Sequence, residues 1–323
     1  MLVLTADSAS ELFAAACAAV LAQGAPVAPR GMATVELLGA HLCLTQPRRR
    51  LVDLAPVRVL NAAFAAAEAV WILSGSDAPW IYTYNRRLVD YADHGRLHGA
   101  YGPRLRCWSS GADGPVDQLD HVRRLLAQDP DSRQAVVQLF DPGRDFAGHK
   151  DVPCTLGYRF YVRDGRLQMH TTMRSQDLWL GFCYDVFTAT MLQELLAGWL
   201  GVELGEYHHH VDSLHLYQHD LPSAVRLPTA VAPGPPLAPL AVAWEDFDRL
   251  LARVLRAELP LPVGWAELAQ VLSSYRAWKA GDRRHARTVA AGAVGMLARA
   301  LERWYDHLEG RHIAAVAAAE AGP

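Results

Sequence analysis

The stretch that decides the fold runs from Tyr158 to Phe187 and reads YRFYVRDGRLQMHTTMRSQDLWLGFCYDVF. Its first half alternates apolar and polar residues on either side of Asp164–Gly165. An Asp-Gly pair tolerates the positive φ of a tight turn, so the pattern predicts a β-hairpin. The second half changes character. Arg174, Ser175 and Asp177 follow in quick succession, Gly181 marks a turn, and Tyr184–Asp185 opens the run VFTATMLQELLAGWLGVEL. That apolar run predicts a long buried helix. Charge at the edge of a core costs free energy unless a ligand uses it, so this junction is the first candidate for a site.

Upstream, AVVQLF reads as a short buried strand and DQLDHVRRLLAQDPDSRQ as an amphipathic helix stopped by Pro130. VLNAAFAAAEAVWILSGS has helical spacing and ends at Gly75, while Asp77 to Trp108 reads as irregular loop. ATVELLGAHLCLT alternates like a pair of strands turning at Gly39. The apolar N-terminal stretch has no basic leader region, and Asp7 and Glu11 interrupt it. Ser8-x-x-Glu11 is instead a capping box, opening a helix that stops at Gly24. Downstream, GEYHHHVDSLHLYQHD alternates as a strand, with His208 and His210 on one face and His209 and His215 on the other. Residues 221–240 are proline-rich and mark a boundary or an extended edge. Three stretches beyond Ala243 have helical periodicity. Strands and helices mix without strict βαβ alternation, which predicts an α+β fold: a mixed or mostly antiparallel sheet with helices on one side.

The chain has 323 residues, 51% of them hydrophobic and 20% charged, with a net charge of −3. It can therefore bury a large core, and it offers no electrostatic footprint for long nucleic acid. The basic triplet Arg48–Arg50 reads as a solvated surface turn. Five cysteines without a CxxC pair argue against a disulfide framework or a zinc ribbon. A cytoplasmic setting is expected, and no apolar stretch reaches the roughly 18 residues of a membrane span.

Three features carry chemistry. Cys154, in DVPCTLGYRF, reads alone as a small buried hydrophobe, but arginines nearby offer a route to a low-pKa thiolate. The histidines read as polar surface or ligand hydrogen-bonding groups, and no metal is expected. Glu68 is a carboxylate on an otherwise apolar helix, set either at its rim or into a site.

Together these pieces resemble the thymidylate synthase superfamily. The motifs are Pro153–Cys154, F-Y-V-x-D-G-x-L from Phe160, R-S-x-D-x-x-L-G from Arg174 to Gly181, and H-x-Y from His215 to Tyr217. E-x-x-W-x-L-x-G from Glu68 to Gly75, Tyr101–Gly102 with Arg106 and Trp108, and D-P-D-S-R from Asp129 to Arg133 flank them in family order. The resemblance covers about residues 30 to 250, and implies a catalytic domain over 1–250 with a helical extension, 251–323, packed on the same domain. It implies that Cys154 adds to C6 of a pyrimidine nucleoside monophosphate, making C5 a nucleophile toward the one-carbon unit of 5,10-methylenetetrahydrofolate. Arg174, Ser175 and Arg30 would grip the 5′-phosphate, and Arg133 would reach it from the other subunit of a homodimer. Asp177, with Gly181, would contact the pterin; His215 and Tyr217 would hold the sugar hydroxyl. Glu68 would move protons, and Tyr101 would complete the catalytic set.

The family's synthases place asparagine where this chain has Asp185. A neutral amide matches O4 and N3–H of uracil, whereas cytosine presents an N4 amino donor and an N3 acceptor. A carboxyl group that shares one proton with N3 suits cytosine. Asp185 therefore resembles the cytidylate 5-hydroxymethylase branch, which adds water to the exocyclic methylene. A synthase-type methyltransferase on dCMP or dUMP and a non-catalytic nucleotide-binding relative are the alternatives. Further departures are Thr155 after the nucleophile, Gln134 after D-P-D-S-R, and RLVDYADH, with Val89 or Tyr91, where a folate-stacking tryptophan is expected. Ribose and deoxyribose both remain open.

Overall fold

The computed structural model describes residues 1–109, 114–146 and 148–310. The first third holds β1 (Leu2–Ala6), α1 (Ala9–Gln23), β2 (Ala25–Val27), β3 (Thr34–Leu44), α2 (Ala62–Leu73) and α3 (Tyr101–Arg106). Next come β4 (Trp108–Ser109), β5 (Pro115–Val116), α4 (Gln118–Gln128), β6 (Val136–Gln138) and the turn α5 (Pro142–Asp145). The centre is β7 (Thr155–Arg163), β8 (Arg166–Met173), β9 (Gln176–Asp177), α6 (Cys183–Leu200), β10 (Glu203–Tyr217) and the turn α7 (Leu221–Ala224). The end is helical: α8 (Phe247–Arg256), α9 (Val263–Lys279), α10 (Arg283–Gly292) and α11 (Met296–Leu308).

The hairpin forms as read. Asp164 and Gly165 sit at φ 52° and 70°, and β7 and β8 run antiparallel from that turn. They lie inside one mixed sheet of order β1-β3-β10-β8-β7-β6, with β2 pairing β3 and β9 pairing β10. Helices α1 and α6 cover one face, where Leu42, Leu44, Phe160, Tyr207 and Val211 are buried. On the other face the rings of His41, His170, His208 and His210 stack. The fold is the α+β mixed sheet that the pattern predicts. The Ser8 hydroxyl caps α1 through the Glu11 N–H, as the capping box requires.

Four local expectations are corrected. Gly39 does not turn a strand pair; β3 runs through it at φ 72° and keeps one register with β10. Gly39 instead lies where the far edge of β3 passes from β2 to β1. The region from Asp77 to Trp108 is not wholly irregular: it holds 3₁₀ turns at Pro79–Thr83 and Arg86–Tyr91, and α3. Arg50 is not solvated: it is fully buried and paired with Glu194, a partner remote in sequence. The last helical stretch divides into α10 and α11 at Gly295. There the buried Glu267 of α9 accepts the N–H groups of Leu297 and Ala298 at 2.8 and 3.2 Å. A carboxylate at a helix N-terminus satisfies free N–H groups and complements the dipole, and a side chain at Gly295 would collide with it.

One buried ion pair ties α3 to the turn α5. Arg104 donates to both Asp145 oxygens at 2.6 and 2.8 Å and to the Leu139 carbonyl. Burial pushes the Asp145 carboxyl up, but Arg104, the Asp141 N–H and His98 hold it below its ordinary value. Its contribution is complete above the unfolded carboxyl value of about 3.9 and is lost as pH falls through the lower folded value. Asp145→Ala leaves Arg104 buried without its partner. It should cost about 3–5 kcal/mol, read from urea unfolding at pH 7.

Candidate active site

The hairpin register sets Cys154 beside a cation. Cys154 precedes β7, and Arg174 follows β8; the Arg174 N–H donates to the Cys154 carbonyl at 2.9 Å. A bulge between Thr155 and Gly157 bends the strand here. The Arg174 side chain turns back over this end. Its Nε donates to Pro153 O at 3.0 Å and its Nη2 to Val152 O at 2.9 Å, and Nη2 lies 3.7 Å from the Cys154 Sγ. Burial pushes the Cys154 thiol up, and Arg174 opposes that. The expectation of a low-pKa thiolate is therefore corrected: desolvation outweighs the guanidinium and keeps Cys154 a thiol.

Behind Cys154 lies a group of acids and phenols. The Tyr101 hydroxyl accepts from the Thr155 N–H at 3.1 Å. Burial pushes the Tyr101 hydroxyl far up, and the Asp185 and Cys154 charges add to that shift. Glu68 is the residue of α2 that is not fully buried. Desolvation pushes its carboxyl well above the ordinary value, and the Asp185 charge adds to this. Glu68 therefore lies close enough to Asp185 to feel its charge, on the part of α2 that is not fully buried. Asp185 lies in the first turn of α6, which begins at Cys183, ahead of the apolar run that announced it. Burial pushes its carboxyl up to about 6; a bond from Gln176 opposes this, and the Asp177 charge reinforces it.

Asp177 caps the π-helical turn Leu178–Phe182, its Oδ1 accepting from Trp179 and Leu180 at 2.8 and 3.2 Å. Its carboxyl is raised by burial, while the two N–H groups, His215 and Arg58 pull it down. His215 pairs with Asp177 across β10 and β9, and its ring meets Tyr217 edge-on at 5.3 Å. Arg30, at φ 53°, acts electrostatically on both Cys154 and Tyr217. Ser175 is half-buried beside Arg174. A Cβ on Gly181 would lie 2.6 Å from Gln176 Nε2 and 3.3 Å from Asp185 Oδ2. Gly181 therefore makes room for those two side chains. Arg133 makes none of these contacts and stands exposed in the turn between α4 and β6.

Sequence reading missed Gln176, His209, Tyr158 and Asp151. Tyr158 is buried next to Asp185 and Glu68. Asp151 lies near Cys154 and accepts the Gly99 N–H at 2.9 Å. The alternation of β10 does put His209 and His215 on the covered face, away from His208 and His210. Nothing local marks Gln176, whose partners come from α6 and β10.

The model of the thymidylate synthase family matches residues 11–241. The deoxyuridylate hydroxymethyltransferase of Bacillus phage SP01 is 34% identical over 262 residues, covering 78% of this chain and 68% of that protein. Cys154 before the hairpin, the arginine folded over it and the acids behind it all lie inside the matched segment, and the chain belongs to the thymidylate synthase family.

Proposed function

We propose that this family member is a folate-dependent 5-hydroxymethylase of a cytidine monophosphate, dCMP or CMP. The carrying observation is the buried carboxyl of Asp185, where an amide would be needed to match uracil. Cytosine supplies N4–H, and one proton shared between its N3 and the carboxyl completes the pair. A site built for one pattern leaves polar groups unpaired against the other.

The residues divide the work. Arg174, Ser175 and Arg30 bind the 5′-phosphate, and Arg133 joins them from a partner subunit, which its exposed position permits. His215 and Tyr217 hold the sugar. Cys154 gives up its proton and adds to C6, helped by Arg174 against the desolvation that keeps it a thiol. Methylenetetrahydrofolate supplies a one-carbon unit at the oxidation level of formaldehyde. Asp177 keeps Oδ2 for an N–H edge, and Leu180, Val89 and Tyr91 present exposed apolar surface, so the residues fit a pterin. C5 takes up the methylene; as the C5 proton is lost, the bond from that methylene to the folate nitrogen breaks and tetrahydrofolate leaves; water then adds to the exocyclic methylene, and the S–C6 bond breaks and restores the thiol. No hydride is consumed. Glu68, whose carboxyl burial pushes well above its ordinary value, and Tyr101 serve the proton movements around C4 and C5.

The SP01 relative, by its name, supports a second reading in which the base is uracil. Mass spectrometry of products from an equimolar mixture of CMP, dCMP and dUMP with methylenetetrahydrofolate separates the two. A hydroxymethyl product on a cytidylate is expected. A methyl product, or dUMP as the preferred substrate, overturns the proposal.

The pair with neutral cytosine needs one proton, and the free Asp185 carboxyl loses its own near pH 6. Above that pH the proton must come from solvent, so kcat/KM for the cytidylate should fall toward tenfold per pH unit. A flat profile from pH 6 to 8 would contradict the shared proton.

A further inference from the structure

Asp185 does not stand alone. Gln176 Nε2 donates to its Oδ2 at 2.9 Å and to the Asp177 backbone carbonyl at 3.2 Å. A backbone carbonyl only accepts, so the amide end facing Asp185 is the nitrogen. The other end, Oε1, lies 2.8 Å from His209 Nε2 and must receive its proton. His209 Nδ1 is then an acceptor, and the Tyr207 hydroxyl, 2.8 Å away, donates to it. The Tyr207 hydroxyl also lies 2.9 Å from Thr171 Oγ1. Thr171, Gln176, Tyr207 and His209 are all buried. The two bonds nearest the carboxyl therefore point the same way, from His209 through Gln176 to Asp185. Burial lowers His209 to about 3, so its ring is neutral and has only one proton to place. Gly181 keeps the space that the Gln176 amide occupies.

We propose that Gln176, oriented by His209 and Tyr207, is a specificity-determining positioning residue that keeps Asp185 a hydrogen-bond acceptor and leaves the shared proton on N3 of cytosine. The inference rests on the cytidylate reading. In a cytosine pair the proton can reside on the base, and the carboxyl keeps its negative charge. In a uracil pair N3–H is already a donor and O4 needs one, so the carboxyl must be neutral. A fixed N–H on Oδ2 stabilises the charged form, and so favours cytosine over uracil. A proton on N3 also withdraws electrons from the ring and eases addition of Cys154 at C6.

The test compares kcat/KM for dCMP and dUMP in wild type, Gln176→Met and Tyr207→Phe, across pH 5 to 8, with far-UV circular dichroism as the folding control. Gln176→Met should lower the dCMP:dUMP ratio about tenfold and move the alkaline limb for dCMP upward by about a pH unit. Tyr207→Phe should shift both in the same direction by less, since it only loosens the tautomer of His209. An unchanged ratio and limb in a folded Gln176→Met protein would overturn this inference while leaving the cytidylate reading intact. A wild type that prefers dUMP would instead remove the cytidylate reading, whatever the variants do. A fall in kcat with equal effect on both nucleotides and no movement of the limb would mark Gln176 as structural only, and would also overturn it.

Discussion

Asp185→Asn should reverse the base preference. The substitution keeps size and shape at the first turn of α6 and exchanges a titrating carboxyl for a neutral amide. Gln176 Nε2 now donates to the amide oxygen, so the amide is set with its NH2 free to meet O4 of uracil. The oxygen accepts from N3–H. Against cytosine the same amide aims N–H at the N4 amino group and leaves N3 without a donor. Discrimination by hydrogen-bond pattern reaches on the order of 10⁴, and the expected change in the dUMP:dCMP ratio of kcat/KM is of that order. The fall in cytidylate activity above pH 6 should disappear with the titrating group. Parallel initial rates on the two nucleotides measure the ratio. A change below tenfold would mean that the base is chosen elsewhere, and that the carboxyl at residue 185 has another purpose.

Cys154→Ala should abolish turnover. Without the thiol there is no addition at C6 and therefore no carbanion character at C5, so release of tritium from C5-labelled nucleotide should fall by about 10⁴-fold or more. Nucleotide affinity should change little, because Arg174 is positioned by the Pro153 and Val152 carbonyls as well as by the sulfur. Equilibrium dialysis of dCMP checks binding, and the tritium assay checks chemistry. Retained activity would exclude Cys154 as the nucleophile and with it both the hydroxymethylase and methyltransferase readings.

The hairpin was legible because its turn chemistry is local, and the turn fixes a register that brings Cys154 to Arg174. Asp185 and Glu68 were legible because a carboxylate next to apolar sequence is a local anomaly. What stayed hidden depends on partners far apart in the chain. Arg50 looked solvated because Glu194 is remote. The start of α11 carried no signal because its cap is Glu267, on another helix. Gln176 is neutral and mid-motif, and only the meeting of β9, β10 and α6 shows what it does. The state of Cys154 was misjudged for a related reason: sequence shows the nearby arginine but not the burial that outweighs it.

Helix α2 carries Glu68 toward the site and is buried along the rest of its length, with α9 and α11 packed against it. Tyr84, just beyond, donates to the Leu272 carbonyl of α9, and Asp53, just before, is held by Arg303 of α11. On the ribosome this order has a cost. Residues 62–73 are translated well before α9 and α11, with α6, which also packs on them, in between. Until α9 and α11 follow, the nascent chain carries an incompletely covered apolar helix, a condition in which aggregation and chaperone capture compete with folding. Glu68 is thus made long before the last of the helices that fix its own helix in place.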